Sequence, residues 1–122
     1  MRWLLAGFLM LCLSDCALAA DEAEVQRLHA LLNALTQEQE STYRQFQIVQ
    51  EMRRTNAQVM CEGHLLPPGV VEYSDWIKAQ QLAVQHESEL QSQMEQINTR
   101  WNELEDEKKP ILRRIYELSA PK

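Results

Sequence analysis

Residues 76–118 read WIKAQQLAVQHESELQSQMEQINTRWNELEDEKKPILRRIYEL, and one set of their positions recurs at alternating intervals of four and three residues. This alternation is the heptad pattern of a helix that buries one stripe against a neighbouring helix. The positions are Trp76, Gln80, Ala83, Glu87, Leu90, Met94, Ile97, Trp101, Leu104, Lys108, Ile111, Ile115 and Leu118. The pattern keeps its phase across Pro110, which removes a helical hydrogen bond, and so predicts a helix over about 74–118 that is kinked near Pro110.

A second heptad frame precedes this segment and predicts a helix over about 21–60. Its positions are Leu28, Leu32, Leu35, Gln39, Thr42, Phe46, Val49, Arg53, Asn56 and Met60. In antiparallel pairing with the later helix, Arg53 is expected near Ala83 and Glu87, and Glu87 would supply the opposite charge.

The segment 61–73 between the two frames is predicted to be a loop. Gly63 is suited to a left-handed helix cap, Pro67 and Pro68 do not continue a helix, and Ser74 is a good N-cap for the next one. The expected fold is therefore all-α, a long antiparallel two-helix hairpin that resembles a coiled coil.

A hairpin of this length has a thin core, because each helix buries one stripe only. Apolar residues also lie outside the two frames: Leu31, Tyr43, Ile48, Met52, Val59, Ile77, Val84, Leu112 and Tyr116. They widen the apolar stripe of each helix. We therefore expect either dimerisation into a four-helix bundle or a docked partner.

The first residues resemble a secretory signal peptide. Arg2 precedes an apolar run of 11 residues, Trp3–Leu13, and the small residues Ala17 and Ala19 form an A-x-A cleavage site. A membrane-spanning helix needs roughly 20 apolar residues. We predict a signal peptide over 1–19, a single hairpin domain over 20–122, and a periplasmic or secreted location. The alternative is a lipid anchor on Cys16.

Composition excludes several functional classes. The chain carries a net charge of −6, whereas binding to nucleic acid or to anionic lipid needs basic patches. No segment after the predicted leader is apolar enough to span a bilayer, so no transmembrane segment is expected after cleavage. No cofactor is expected.

Cys61 is the one cysteine that remains after cleavage, because Cys12 and Cys16 both lie in the predicted leader 1–19. An odd cysteine in an oxidising compartment indicates an intermolecular disulfide or a reactive thiol. The alternative is a buried, inert side chain that packs like a small hydrophobic residue.

Cys61 and His64 are also the weak candidates for metal or redox chemistry. A structural zinc site needs four ligands, and His29 and His86 are expected far from this pair or poorly placed for it. Cysteine catalysis needs a pocket and an oxyanion hole, which a glycine-poor hairpin does not offer. The acidic run Glu103, Glu105, Asp106 and Glu107 is expected to be a solvated helix face. We therefore predict that the protein is not an enzyme.

The loop is unusually apolar for the tip of a hairpin, and exposed apolar patches mark binding sites. We predict a partner-binding surface at this tip, formed by Leu65, Leu66, Val70, Val71, Tyr73 and Trp76. The protein would then be an adaptor, assembly factor or inhibitor that docks on an envelope or secreted protein. A homodimer linked through Cys61 is compatible with this function.

Leu35-Thr36-Gln37-Glu38-Gln39 resembles the Leu-Thr-x-x-Gln motif of the Spy/CpxP family of periplasmic helical chaperones and stress regulators. The tail from Ile115 to Pro121 resembles the region of that family's second motif, without its Thr and Gln. In the family the first motif usually opens a helix, whereas in this sequence it falls within one. The resemblance implies an alternative function as a chaperone or stress sensor. A metal- or redox-responsive protein is the second alternative.

Overall fold

The computed structural model describes the backbone of residues 2–62 and 72–121, and the side chains of residues 17–61 and 72–121. It contains two helices, α1 (Arg2–Glu62) and α2 (Tyr73–Ser119), which pack against each other as an antiparallel hairpin. No strand occurs in the described part of the chain. The predicted all-α hairpin is confirmed.

Helix α1 begins at Arg2, earlier than the expected start near residue 21, and ends at Glu62. The leader is rich in Leu, Ala and Met, which have high helix propensity, so the backbone of the predicted leader continues directly into α1. Cleavage after Ala19 stays a prediction.

Helix α2 begins at Tyr73, where the carbonyl oxygen of Glu72 accepts hydrogen bonds from the backbone N–H groups of Asp75 (3.0 Å) and Trp76 (3.1 Å). Glu72 is therefore the N-cap, and the prediction that Ser74 has this role is wrong. Ser74 lies in the first turn of the helix. Most of the predicted loop 61–73 lies outside the described residues.

Every position of the two predicted heptad frames is buried or half-buried. Leu90 and Leu104 are fully enclosed, and Val49 and Ala83 are the other buried apolar side chains among the described residues. Three polar side chains are buried with them, and these are Gln39, Thr42 and Asn56. The seam between the helices is therefore a mixture of apolar and polar layers.

The chain divides into two compact units. The terminal unit is Met1–Glu38 with Leu104–Lys122, and the central unit is Gln39–Glu103. In the terminal unit, Arg114 Nε donates to Glu24 Oε1 at 3.1 Å and so joins the two helices. This hydrogen bond, followed by the charge of Glu24, raises the pKa of the Arg114 guanidinium.

Helix α2 is continuous through Pro110, whose side chain is exposed. The kink near Pro110 stays a prediction. Beside it, Lys109 Nζ donates to Asp106 Oδ1 at 2.7 Å, and this hydrogen bond raises the pKa of the exposed lysine.

Over the described residues, neither helix has a stretch long and apolar enough to cross a bilayer.

Candidate interaction surface

Asn56 connects the two helices of the central unit through a buried hydrogen bond. Its Nδ2 donates to the backbone oxygen of Ala83 at 3.0 Å, and the sulfur of Met60 lies 4.0 Å from the same nitrogen. The amide is 7% exposed, so this bond forms away from water. A buried polar group in a helical seam favours the one alignment that satisfies it.

Arg53 and Glu87 form the second polar connection between the helices. Nη2 and Nε of Arg53 lie 2.6 and 2.8 Å from Glu87 Oε1, and the side chains are 42% and 31% exposed. The expectation that Glu87 would pair with Arg53 is confirmed. Because the pair is half-shielded from solvent, it is screened less than more exposed ion pairs such as Arg44–Glu40.

One flank of the seam in the central unit carries exposed apolar side chains. Ile48, Met52 and Val59 on α1 are 59%, 42% and 55% exposed, and Leu82 on α2 is 67% exposed. Together with His86 they line adjoining surface depressions that share several of their residues. We call Ile48, Met52, Val59, Leu82 and His86 the apolar groove.

The residue spacing explains how the groove forms. Met52 follows Ile48 by four residues and precedes Val59 by seven, so the three side chains lie on one flank of α1. Leu82 and His86 are four residues apart and lie on one flank of α2. Antiparallel packing brings these flanks together over the seam.

The floor of the groove comes from the seam itself. The seam residues Val49, Asn56 and Ala83 contribute to the lining of the depressions, beneath the more exposed side chains of the flanks. The floor is therefore fixed by the same polar and apolar contacts that hold α1 against α2.

The charged groups of the lining are mostly acidic. Glu51 on α1 and Glu89 on α2 line the groove, and Arg100 lines one end of it. Arg100 Nη1 donates to Glu103 Oε2 at 3.1 Å, which offsets its charge. The groove therefore combines apolar side chains with uncharged polar ones and has a net negative rim.

The depression on the other flank of the seam is more polar. It is lined by Gln47, Gln50, Glu51, Arg54, Ala57 and Met60, together with the Arg53–Glu87 pair. The depressions on the two flanks of the central unit thus differ in character, and this difference makes the apolar groove the stronger candidate for a contact surface.

The predicted surface at the tip of the hairpin is described only in part. Leu65, Leu66, Val70 and Val71 lie outside the described residues. Tyr73 is 74% exposed and its ring stacks on that of half-buried Trp76, with centroids 5.9 Å apart. The structure brings these two aromatic residues together, and the binding role of the tip stays a prediction.

Cys61 is exposed near the end of α1 and its thiol is free. The alternative of a buried, inert cysteine is therefore wrong, because the side chain lies beyond the last position of the heptad frame, Met60. An intermolecular disulfide through Cys61 stays a prediction.

Of the groups considered for metal binding, His64 lies outside the described residues, His29 is exposed in the terminal unit, and His86 lines the apolar groove. In the part of the chain whose side chains are described, no three His, Cys, Asp or Glu residues cluster as metal ligands would. The acidic run Glu103, Glu105, Asp106 and Glu107 is exposed, as expected for a solvated face.

Sequence reasoning found part of the groove. Ile48, Met52 and Val59 were expected to lie beside the seam, whereas Leu82 and His86 were missed as members of the surface. Leu82 and His86 each precede a seam position of α2, as Ile48, Met52 and Val59 do on α1. This correspondence of heptad positions is the signal that identifies them.

No protein-family model, no curated protein and no solved structure matches the chain. In the pentapeptide that resembles the Spy/CpxP motif, Leu35 is half-buried, Gln39 is buried, and Thr36 Oγ1 donates to the Leu32 carbonyl at 2.8 Å. The resemblance rests on these residues.

Proposed function

We propose that the protein is an exported, non-enzymatic helical interaction protein that docks on an envelope or secreted protein. It would act as an adaptor, assembly factor or inhibitor. The observation that carries the proposal is the apolar groove. Large apolar side chains from both helices are exposed side by side, and covering such a patch with a partner removes apolar surface from water.

The character of the lining supports the non-enzymatic part of the proposal. Catalysis needs a nucleophile, base or acid held in a pocket that encloses the reacting atoms. The groove is open to solvent and is lined mainly by aliphatic side chains, methionine and side-chain amides, with His86, Glu51 and Glu89 as its groups able to transfer a proton. An open surface of this kind does not enclose reacting atoms and is suited to contact.

The packing of α1 supports export with loss of the leader. Ala17, Leu18 and Ala19 are exposed, and the first half-buried side chain of the described residues is Asp21. Cleavage after Ala19 would therefore remove no described side chain that packs in the hairpin. The product would retain the central unit. It would be periplasmic or secreted.

Site-specific photo-crosslinking in exporting bacteria tests the docking proposal. A photoreactive residue in place of Met52 lies in the apolar groove, and one in place of Gln47 lies on the polar flank as a matched control. A discrete adduct at position 52 that is absent at position 47 is expected. Equal labelling at both positions, or none at either, would overturn the proposal.

A chaperone or stress sensor of the Spy/CpxP type is the second candidate, and the same exposed apolar side chains together with Leu35-Thr36-Gln37-Glu38-Gln39 favour it. A chaperone would suppress aggregation of several unrelated unfolded proteins, and Met52→Glu would weaken that effect. Unchanged aggregation at an excess of the protein would argue against this candidate.

A further inference from the structure

We infer that the apolar groove binds a single amphipathic α-helix of a partner chain, with Lys or Arg residues beside its apolar stripe. The inference rests on the proposed function and specifies the chemistry of the partner. The bound helix would lie along the seam of the central unit and form a third helix over α1 and α2.

The shape of the groove favours a helix over other partner structures. Its walls are the flanks of two antiparallel helices, and Ile48 and Val59 mark about 16 Å along α1. A helix placed over such a groove inserts side chains at i, i+3 or i+4, and i+7 between the two walls. About three turns of helix would cover the apolar side chains.

The charges of the groove select a basic partner. Glu51 lies on the α1 side, between the groove and the depression of the other flank, and Glu89 lies on the α2 side. Among the described residues Glu89 forms no ion pair, and Glu51 lies 4.0 Å from Arg54, at the limit of ion-pair distance. A helix with Lys or Arg on both sides of its apolar stripe would place a cation near each carboxylate.

The same charges disfavour a second copy of this chain as the occupant. The groove of a second copy carries the same pair of carboxylates, and the chain as a whole has a net charge of −6. Two such grooves face to face would bring rims of like charge together. The partner is therefore a different chain with basic groups beside its apolar residues.

Peptide binding to the full chain tests the inference. The probes are helical peptides of about 18 residues, long enough to form a helix on binding, with one leucine stripe flanked by lysine, glutamine or glutamate. A scrambled lysine peptide of the same composition lacks the stripe. Fluorescence anisotropy is expected to show the highest affinity for the lysine peptide, a lower affinity for the glutamine peptide and the lowest for the glutamate peptide. The scrambled peptide should show no measurable binding.

Variants of the full chain locate the binding site. Met52→Ser and Leu82→Ser, on opposite walls, should each weaken binding of the lysine peptide about tenfold or more, whereas Gln47→Ser should leave it unchanged. These substitutions add no charge to the groove, and circular dichroism verifies that the variants fold. Equal binding by Met52→Ser and the parent chain, or by the scrambled peptide, would overturn the inference.

A charge control isolates the role of the rim. Glu51→Gln combined with Glu89→Gln should weaken binding of the lysine peptide severalfold and leave binding of the glutamine peptide nearly unchanged. Glu40→Gln combined with Glu95→Gln removes the same charge away from the groove and should have a smaller effect. Equal effects of the two double variants would refute the selection of a basic partner.

The outcomes also separate this inference from the proposed function. A crosslinked protein at position 52 without binding of the lysine peptide would retain the docking function and reject the helical, basic partner. If sedimentation shows a dimer that Met52→Glu disrupts, the occupant of the groove is a second copy of this chain. That outcome would also reject the inference of a helical, basic partner.

Discussion

Asn56 is a polar residue at a position where an aliphatic side chain would bury more apolar surface. Its hydrogen bond to the Ala83 carbonyl satisfies the amide, but a single buried hydrogen bond adds only about 1 kcal/mol net. What the residue contributes beyond this is selectivity, because the bond forms in one alignment of the helices. The contact between Arg53, about one turn away on α1, and Glu87 on α2 has the same property.

Replacing Asn56 with alanine should lower the free energy of unfolding by about 1–2 kcal/mol, because the hydrogen bond is lost and a small cavity remains. Urea denaturation monitored by circular dichroism measures the change. Thr55→Ala is the matched control, since Thr55 is exposed and its hydroxyl donates only to the Glu51 carbonyl of its own helix. Equal effects of the two substitutions would contradict the assigned role of Asn56.

Arg53 and Glu87 should show a coupling free energy of about 1 kcal/mol in a double-mutant cycle at low salt, because their contact is partly shielded from water. The exposed pair Arg44–Glu40, four residues apart on α1, serves as the comparison and should give about 0.3 kcal/mol. Both values should fall at high salt. A coupling for Arg53–Glu87 no larger than that of the comparison pair would show that the contact does not hold the helices together.

At the scale of the helices, the heptad frames predict the seam well because the 3.6-residue period decides which side chains face the neighbour. The degree of burial is harder to predict. Gln39 and Thr42 are buried while Leu35 is half-buried, although Leu90 and Leu104 are fully buried in the same seam, so the type of side chain does not by itself decide its burial.

The apolar groove could be predicted only in part, for a different reason. The pattern of α1 places Ile48, Met52 and Val59 beside the seam, but a groove exists only when the matching flank of α2 is known. That match depends on the alignment of the helices, which Asn56 and Arg53 determine through contacts with residues far along the chain. The nine residues 63–71 lie outside the described part, so the predicted tip gains no further support.

Pro110 lies inside a continuous helix and should destabilise it, because its ring removes a hydrogen bond and crowds the preceding turn. Pro110→Ala should therefore raise the free energy of unfolding by about 1–3 kcal/mol. Thermal denaturation tests this. Asn102→Ala, at another exposed position of α2, should add only about 0.5 kcal/mol from helix propensity. A Pro110→Ala variant that is no more stable than Asn102→Ala would be evidence against strain at this position.

For the whole molecule, export predicts a product that begins at Ala20. Its mass should correspond to loss of the first 19 residues, and its helix content should fall only by the contribution of the leader, because the described residues before Ala20 are exposed. Mass spectrometry of the exported protein and circular dichroism measure both. A retained leader, or a product that loses most of its helix, would contradict the proposed export.

The exposed thiol of Cys61 should link two chains under oxidising conditions. A band of twice the monomer mass on a non-reducing gel is expected for the parent chain and for the combined Cys12→Ser, Cys16→Ser variant. It should disappear in Cys61→Ser and on addition of reductant. A band that persists in Cys61→Ser would assign the cross-link to the leader cysteines.

The contacts Asn56–Ala83 and Arg53–Glu87 join residues 27 and 34 positions apart, and both would break together if one helix slid past the other by a turn. Contacts between the helices thus align the two walls of the groove. An unrelated linker in place of residues 63–71 should therefore leave these two contacts and the groove in place, although it would remove the predicted tip residues. Protein engineers could insert a recognition tag or a second domain at that point and still obtain a chain that presents the same binding face.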